Sequence, residues 1–310
     1  VATAYFGLGT TWHAGLSASA PLLSATPGHF LEDQIGLIPL TQTIFSPFNL
    51  GLSVLAIITL TGVGVLLHPV REEDRFKIPA EVLREVGTVE TITSPLRRTV
   101  ASWIDYSYGI NLLIGLFGFI WLTRLITTFR FEEISINTVN FFFLMAAILL
   151  HPHPASLVKA AEGGVRFIHG IVIQFPLYAG IYGIIQGTGL SEIIGQWFVA
   201  AADQQTFPLV VYWYSGVINY FVPSGGSKWV IEAPYLISAA KELGVSNATM
   251  LLSYAWGDMM TNLLQPFWCI PLLAMAKIEF RQILGYEIIV FLVYATLCSL
   301  AFLFLPYLSF

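Results

Sequence analysis

Val222-Pro223-Ser224-Gly225-Gly226-Ser227-Lys228 interrupts a stretch of chain that is otherwise apolar enough to lie in a bilayer. A second interruption, Thr10-Thr11-Trp12-His13-Ala14-Gly15-Leu16-Ser17-Ala18-Ser19-Ala20-Pro21, has the same small, polar and proline character. Aligning Ala20 with Ala233 without a gap also pairs Pro21 with Pro234, Leu23 with Leu236 and the hydroxyl of Thr11 with that of Ser224. In hydrocarbon, a backbone group that leaves its helical hydrogen bond costs on the order of several kcal/mol unless it lines a cavity or meets a ligand. Paired breaks in two corresponding halves therefore point at a substrate site.

Composition sets the class around these breaks. Of the 310 residues, 56% are hydrophobic and 11% charged, against roughly 25% charged in a soluble domain, and the mean hydropathy is +0.73. This is a polytopic, all-α membrane protein. The net charge of -5 comes from few groups and no basic stripe accompanies it, which excludes nucleic acid as a partner. Cys269 and Cys298 both fall inside apolar runs and read as buried small hydrophobes. No cofactor and no metal are expected. The chain opens inside an apolar segment and without an initiator methionine, as a truncated protein would.

Runs near the ~20 apolar residues that a bilayer core requires occupy 46–68, 105–127, 139–151, 167–187, 207–222 and 285–308. Segments 1–25 and 247–276 are apolar but broken, the first by Gly15 and Pro21, the second by Gly257, Asp258, Asn262, Gln265 and Pro266. Only 69–104 reads as soluble, an extramembrane loop with one short amphipathic helix. It holds Arg71, Arg75, Lys77, Arg84, Arg97 and Arg98 from a total of 14 Lys and Arg, whereas 26–45 and 188–206 hold none. The positive-inside bias places 69–104 in the cytoplasm. Alternation then puts 128–138 and 188–206 outside and 152–166 inside. If 1–25 and 207–241 each cross once, the two broken elements run in opposite directions, as in an inverted repeat. Lys277 and Arg281 would then land outside, which leaves open whether 247–276 spans or re-enters.

The breaks offer chemistry suited to an anion. Ser224, Gly225, Gly226 and Ser227 present backbone N–H groups on small residues, followed by a segment whose N-terminal dipole end faces the break. Thr10, Thr11, Ser17 and Ser19 supply hydroxyls from the other half. The same residues are also what close helix packing uses. Lys228 and Glu232 stand at i, i+4 and pair if this segment is helical, as a functional site or as a neutralised structural pair. Asp258, Asn262 and Gln265 share one helical face and are candidates for a coupling ion or proton, or for gluing helices together. Asn219, one turn before the second break, carries the same alternatives. Trp229, Tyr235, Trp256, Phe267 and Trp268 flank these groups as an apolar wall or as interfacial anchors. His151 and His153 bracket Pro152 at a span end, a loop position rather than a metal site. His169 and Gln174 lie on an otherwise apolar span, satisfied within the bundle.

Several stretches taken together resemble a known family. They are Val222 to Pro234, Tyr254-Ala255-Trp256-Gly257-Asp258, Asn262-Leu263-Leu264-Gln265-Pro266-Phe267-Trp268, Pro21-Leu22-Leu23-Ser24-Ala25-Thr26-Pro27-Gly28 and Ile136-Asn137-Thr138-Val139-Asn140. Over the whole chain they resemble the short-chain fatty acid transporter family, itself similar to the ion transporter superfamily of secondary carriers. The resemblance implies an inverted-repeat transporter with discontinuous helices or re-entrant hairpins, in the bacterial inner membrane, that takes up acetoacetate, butyrate and similar monocarboxylates. It also implies that about the N-terminal third of the family pattern is missing. The division expected is then 1–68, the end of a first repeat with one broken segment and one span; 69–104, the cytoplasmic loop; and 105–310, the second repeat with broken segments at 207–241 and 247–276.

The mechanism expected is alternating access. A short monocarboxylate is held by Thr10, Thr11, Ser17, Ser19, Asn219, Ser224, Gly225, Gly226, Ser227 and Lys228, with its tail on Trp229 or Trp268. H+ or Na+ travels with it through Glu232, Asp258, Asn262 or Gln265, because moving a lone anion against a negative interior costs about 2.3 kcal/mol per 100 mV. Whether Lys228 binds substrate or only pairs with Glu232 stays open, as does a homo-oligomer. A dicarboxylate carrier of the same architecture is the nearest alternative. An intramembrane hydrolase with Ser17 as nucleophile and His13 as base is the alternative from another class; it needs the two within hydrogen-bond reach, and the second break has no matching histidine.

Overall fold

In a computed structural model describing residues 19–74, 99–129, 134–269, 272–273 and 276–305, the regular elements are all helical. They are α1 (Ala20–Ala25), α2 (Glu32–Ile35), α3 (Pro47–Leu66), α4 (Val100–Asp105), α5 (Tyr108–Phe129), α6 (Ile136–Leu150), α7 (Pro154–Gly187), α8 (Leu190–Ala201), α9 (Phe207–Phe221), α10 (Gly225–Glu242), α11 (Asn247–Met260) and α12 (Phe280–Phe304). Pro47–Leu66, Tyr108–Leu125 and Phe280–Phe304 are long and apolar enough to cross a membrane. Most of the soluble-looking stretch 69–104 lies outside the described residues; α4 and the 3-10 turn Glu72–Asp74 are the helical elements described there.

Helix α3 shows why the class is right. Ser46 caps it by accepting from the Asn49 N–H at 3.2 Å, and Pro47 occupies the first turn. Its buried face is Asn49, Leu52, Ser53, Ala56 and Leu60, while Val54, Leu55, Ile58 and Val65 point outward and are exposed. Polar and small residues inside with branched aliphatics outside is the reverse of a helix in water, and it is the arrangement lipid favours.

The chain divides into two units, Val1–Val82 with Leu177–Phe310, and Leu83–Pro176. In the smaller unit α5 and α6 pack closely because Gly115 and Gly118 leave room for Leu149 and Met145. The corner after α6 is held by the Asn111 amide donating to the His151 carbonyl at 2.9 Å, and the His153 ring lies 5.0 Å from the Tyr106 ring. These two histidines are structural. Helix α7 continues through Pro176, where the division between the units falls; the side chains of His169 and Gln174 lie outside the described residues.

In the larger unit the course of 207–242 differs from a single crossing. Gln204, just before α9, donates from Nε2 to the carbonyl of Gly244, just after α10, at 3.0 Å. The segment therefore runs out along α9, breaks at Val222-Pro223-Ser224 and returns along α10 to the end it left, as a helical hairpin. Both limbs meet α3 and α12 at this end, where Ser46, Pro47, Gln204, Pro208, Gly244, Ser246 and Leu305 line a cavity of about 710 Å³. Helix α12 has 25 residues and so spans ~37 Å, which puts its start, beside Lys277 and Arg281, at the opposite end. Ser46 and Pro47 at the start of α3 line the same cavity as Leu305 at the end of α12, so Arg71, which follows α3, lies toward the end where α12 starts.

Candidate functional site

The site is built where α9 and α11 touch backbone to backbone. A Cβ on Gly257 would strike the Tyr212 carbonyl, with the Tyr212 carbon at 2.9 Å and Ser215 Cβ at 3.0 Å; a Cβ on Gly216 would meet Met260 and the Gly257 carbonyl at 3.1 Å. Two glycines thus bring the helices close enough for Ser215 Oγ to donate to the Tyr254 carbonyl at 2.7 Å. Below them Thr261 Oγ1 donates to the Gly216 carbonyl at 2.7 Å.

Into this contact α10 sends Lys228, which is wholly buried. Its Nζ lies 2.7 Å from the Ser215 carbonyl, 2.7 Å from Ser215 Oγ and 2.9 Å from Asp258 Oδ1, and 4.5 Å above the centre of the Tyr254 ring. Glu232 stands one turn along α10 with Oε2 at 3.9 Å from Nζ. Asp258 and Glu232 are each 1% exposed. Neither Glu232 oxygen accepts a hydrogen bond among the described residues, although the Tyr214 and Tyr254 hydroxyls are among its polar neighbours. The cluster thus holds one ammonium and two carboxylates away from water. Ser215 is eight residues into α9 and Asp258 eleven into α11, ~12 and ~16 Å from the helix starts at 1.5 Å per residue.

One turn further along α9, Asn219 Nδ2 donates to Asn262 Oδ1 at 2.7 Å and to Thr261 Oγ1 at 3.1 Å. Gln265 Nε2 donates to the same Asn262 oxygen at 3.2 Å, and Gln265 Oε1 accepts from the Phe267 N–H at 2.8 Å. Here α11 unwinds into the 3-10 turn Thr261–Leu263. Asn219 Oδ1 is buried and accepts no hydrogen bond.

The predicted residues therefore fall into three groups. Lys228 and Glu232 pair as their spacing requires, but the closer partner of Lys228 is Asp258 on another helix. Asn219 and Gln265 both bond to the Asn262 oxygen, one turn past Asp258 along the chain. Ser224 caps α10 with no side-chain bond, and the N–H groups of Gly225, Gly226 and Ser227 precede the first intrahelical bond, from Lys228 N to Ser224 O at 2.9 Å. Trp229 is buried with its ring 5.1 Å from that of Tyr254, and Trp268 sits half-buried beside Phe267. Ser19, at the start of α1, is buried with a hydroxyl that bonds to nothing among the described residues; α1 packs on α10 and α11, and Ala20 shares a core with Ala233 and Leu236. Thr10, Thr11, Ser17 and His13 lie outside the described residues. Ser215, Thr261, Tyr214 and Asn49, whose Oδ1 accepts from Trp256 Nε1 at 2.7 Å, escape a reading by sequence. The small pair Ser215-Gly216 opposite Gly257 is the signal that would have found the first.

A family model described as short chain fatty acid transporter matches residues 1–305. The chain belongs to the short-chain fatty acid transporter family. It is 36% identical over 286 residues to a protein of Escherichia coli (strain K12) named "Putative short-chain fatty acid transporter", covering 92% of this chain and 64% of that protein. A Haemophilus influenzae protein of the same name is 32% identical over 295 residues, covering 92% of this chain and 65% of its own length. The chain thus spans just under two thirds of the length of these relatives. The family match, running over 1–305, does not bear out the expectation that the opening third of the pattern is missing. No solved structure matches the chain. Among the described residues no group of three His, Cys, Asp or Glu could hold a metal ion.

Proposed function

We propose that this family member is a secondary active transporter, not an enzyme, that takes up short-chain monocarboxylates such as acetoacetate and butyrate with a coupling proton across a bacterial inner membrane. The substrate carboxylate sits at the start of α10, on the N–H groups of Gly225, Gly226 and Ser227 and the hydroxyls of Ser224 and Ser227, with its tail toward Trp229. Glu232 carries the proton. The end of the larger unit that holds Arg71, Lys277 and Arg281 faces the cytoplasm, and the hairpin tip reaches in from the outer side.

The observation that carries this reading is the composition of the buried cluster: two carboxylates around one ammonium. Its charges balance only when a proton or another cation joins. Every donor of Lys228 is engaged within the protein, so the lysine supports the cluster rather than the substrate. That also favours a monocarboxylate over a dicarboxylate. The inverted repeat is part of the proposal, supported by the packing of α1, which carries the Ala20-Pro21 copy, onto α10, which carries Ala233-Pro234. A Na+-coupled version rests on a different observation, the buried and unbonded Asn219 Oδ1 beside the unwound Thr261–Leu263 turn, because unwound carbonyls and amide oxygens suit Na+.

Butyrate uptake into proteoliposomes by the protein and by the Ser224→Ala/Ser227→Ala variant tests the site. The proposal expects the variant to lose at least about 1.4 kcal/mol of apparent affinity, tenfold, for the loss of two hydroxyl donors; unchanged uptake overturns it.

A further inference from the structure

Between α8 and α10 lies a cleft of about 490 Å³, lined by Gly195, Gln196, Tyr235, Ser238 and Glu242 among others. Ser238 and Glu242 lead along α10 toward the end where Gly244 meets Gln204, and Glu242 is exposed there. At the inner limit of the cleft Tyr235, only 3% exposed, has its hydroxyl 2.7 Å from that of Tyr214 on α9. Gly195 holds α8 against it: a Cβ there would stand 3.3 Å from Tyr235 Cβ. The Phe198 ring seals the other side, 4.6 Å from the Tyr214 ring and edge-on to it.

Tyr235 and Glu232 are three residues apart on one helix and so share a face. Tyr214 reaches the same carboxylate from α9. The other titratable groups around Glu232 are Lys228 on α10 and Asp258 and Tyr254 on α11; α1, which also packs on α10, brings none within Ala20–Ala25. Glu232 thus has the Tyr214 hydroxyl as a polar neighbour, and Tyr214 bonds to Tyr235, which lines the cleft.

We propose that the cleft between α8 and α10 is the entry for the coupling proton, and that Tyr235 and Tyr214 relay it to Glu232. Hydronium in the cleft gives one proton to the Tyr235 oxygen and becomes water. Tyr235 passes its own proton to the Tyr214 oxygen, and Tyr214 passes its own to a Glu232 oxygen. Each phenol ends with one proton, as it began, and one positive charge has joined the cluster. The carboxylate of Glu242 at the mouth raises the local concentration of cations. The relay rests on Glu232 being the proton carrier, as proposed above.

The test compares two assays in proteoliposomes, butyrate uptake driven by a proton gradient and butyrate exchange at equal pH, for the Tyr235→Phe and Tyr214→Phe variants. The expected result is a loss of gradient-driven uptake of at least about tenfold in each, since a positioned proton donor contributes that much or more, with exchange unchanged. Retention of gradient-driven uptake by both variants overturns the relay. Independently of folding in those variants, Ser238→Cys in the otherwise unaltered protein should react with a membrane-impermeant methanethiosulfonate and lose gradient-driven uptake; an unreactive thiol overturns the entry route. If Glu232→Gln still couples protons, the proposed function fails; if only the tyrosine and cleft variants behave as the parent, the relay alone fails.

Discussion

Lys228 Nζ lies 2.9 Å from Asp258 Oδ1 across the contact of α10 with α11, closer than the 3.9 Å to Glu232 on its own helix. The two charges belong to one buried unit that also includes Ser215 and the Tyr254 ring.

Removing one partner of a buried pair leaves the other uncompensated, at about 3–5 kcal/mol. Asp258→Ala and Lys228→Met should each lower the melting temperature of the purified protein sharply and abolish uptake. The double variant should melt closer to the parent than Lys228→Met does, because one buried carboxylate, Glu232, is then left without the ammonium instead of two. Additive losses would mean that the two do not act as a pair.

Gly257→Ala places a methyl group against the Tyr212 carbonyl, with Ser215 Cβ at 3.0 Å. The helices must part, at about 1–3 kcal/mol, and Ser215 then leaves the Tyr254 carbonyl. Melting temperature and butyrate uptake should both fall. Gly62→Ala on α3 meets nothing within 4 Å and should leave both unchanged.

Asn49→Ala strips the Trp256 indole of the acceptor it uses at 2.7 Å. Leaving a buried donor unpaired costs about 1–3 kcal/mol, measured as a shift of the unfolding midpoint. Adding Trp256→Phe removes the unpaired donor, and the combined change should cost less than the sum of the two.

Asp203 precedes α9 and is held below the usual carboxylate range, chiefly by the Thr206 backbone N–H at 2.8 Å and then by the Thr206 hydroxyl at 2.8 Å. A depressed carboxyl stabilises the fold above its unfolded value of about 3.9 and loses that contribution as pH falls through the folded value. The difference in melting temperature between the protein and Asp203→Asn should therefore be present at pH 6 and shrink as pH drops below about 4. A difference that grows on acidification would contradict the geometry at this turn.

The fold class was legible because lipid inverts the usual pattern, as α3 shows with Asn49 and Ser53 inside and Val54 and Ile58 outside. The Lys228–Glu232 pair was legible because helical spacing alone places it. The partnership of Lys228 with Asp258 was not, since it depends on how closely α9 and α11 approach, and that is decided by Gly216 and Gly257 together. The course of 207–242 was hidden for another reason. Limbs of 15 and 18 residues are each long enough to pass mid-membrane, and hydropathy does not say whether the second continues or returns. The first break, from Thr10 to Ser19, is reached only at Ser19, and the role of the rest stands on its likeness to the second.

The central claim is that Glu232 carries a proton in company with a short-chain monocarboxylate. Simultaneous recording of proton and labelled butyrate entry into proteoliposomes tests it most directly. The protein should bring in one proton with each butyrate, while Glu232→Gln should exchange butyrate without moving protons. Proton entry with butyrate that is the same in Glu232→Gln as in the parent would contradict the account.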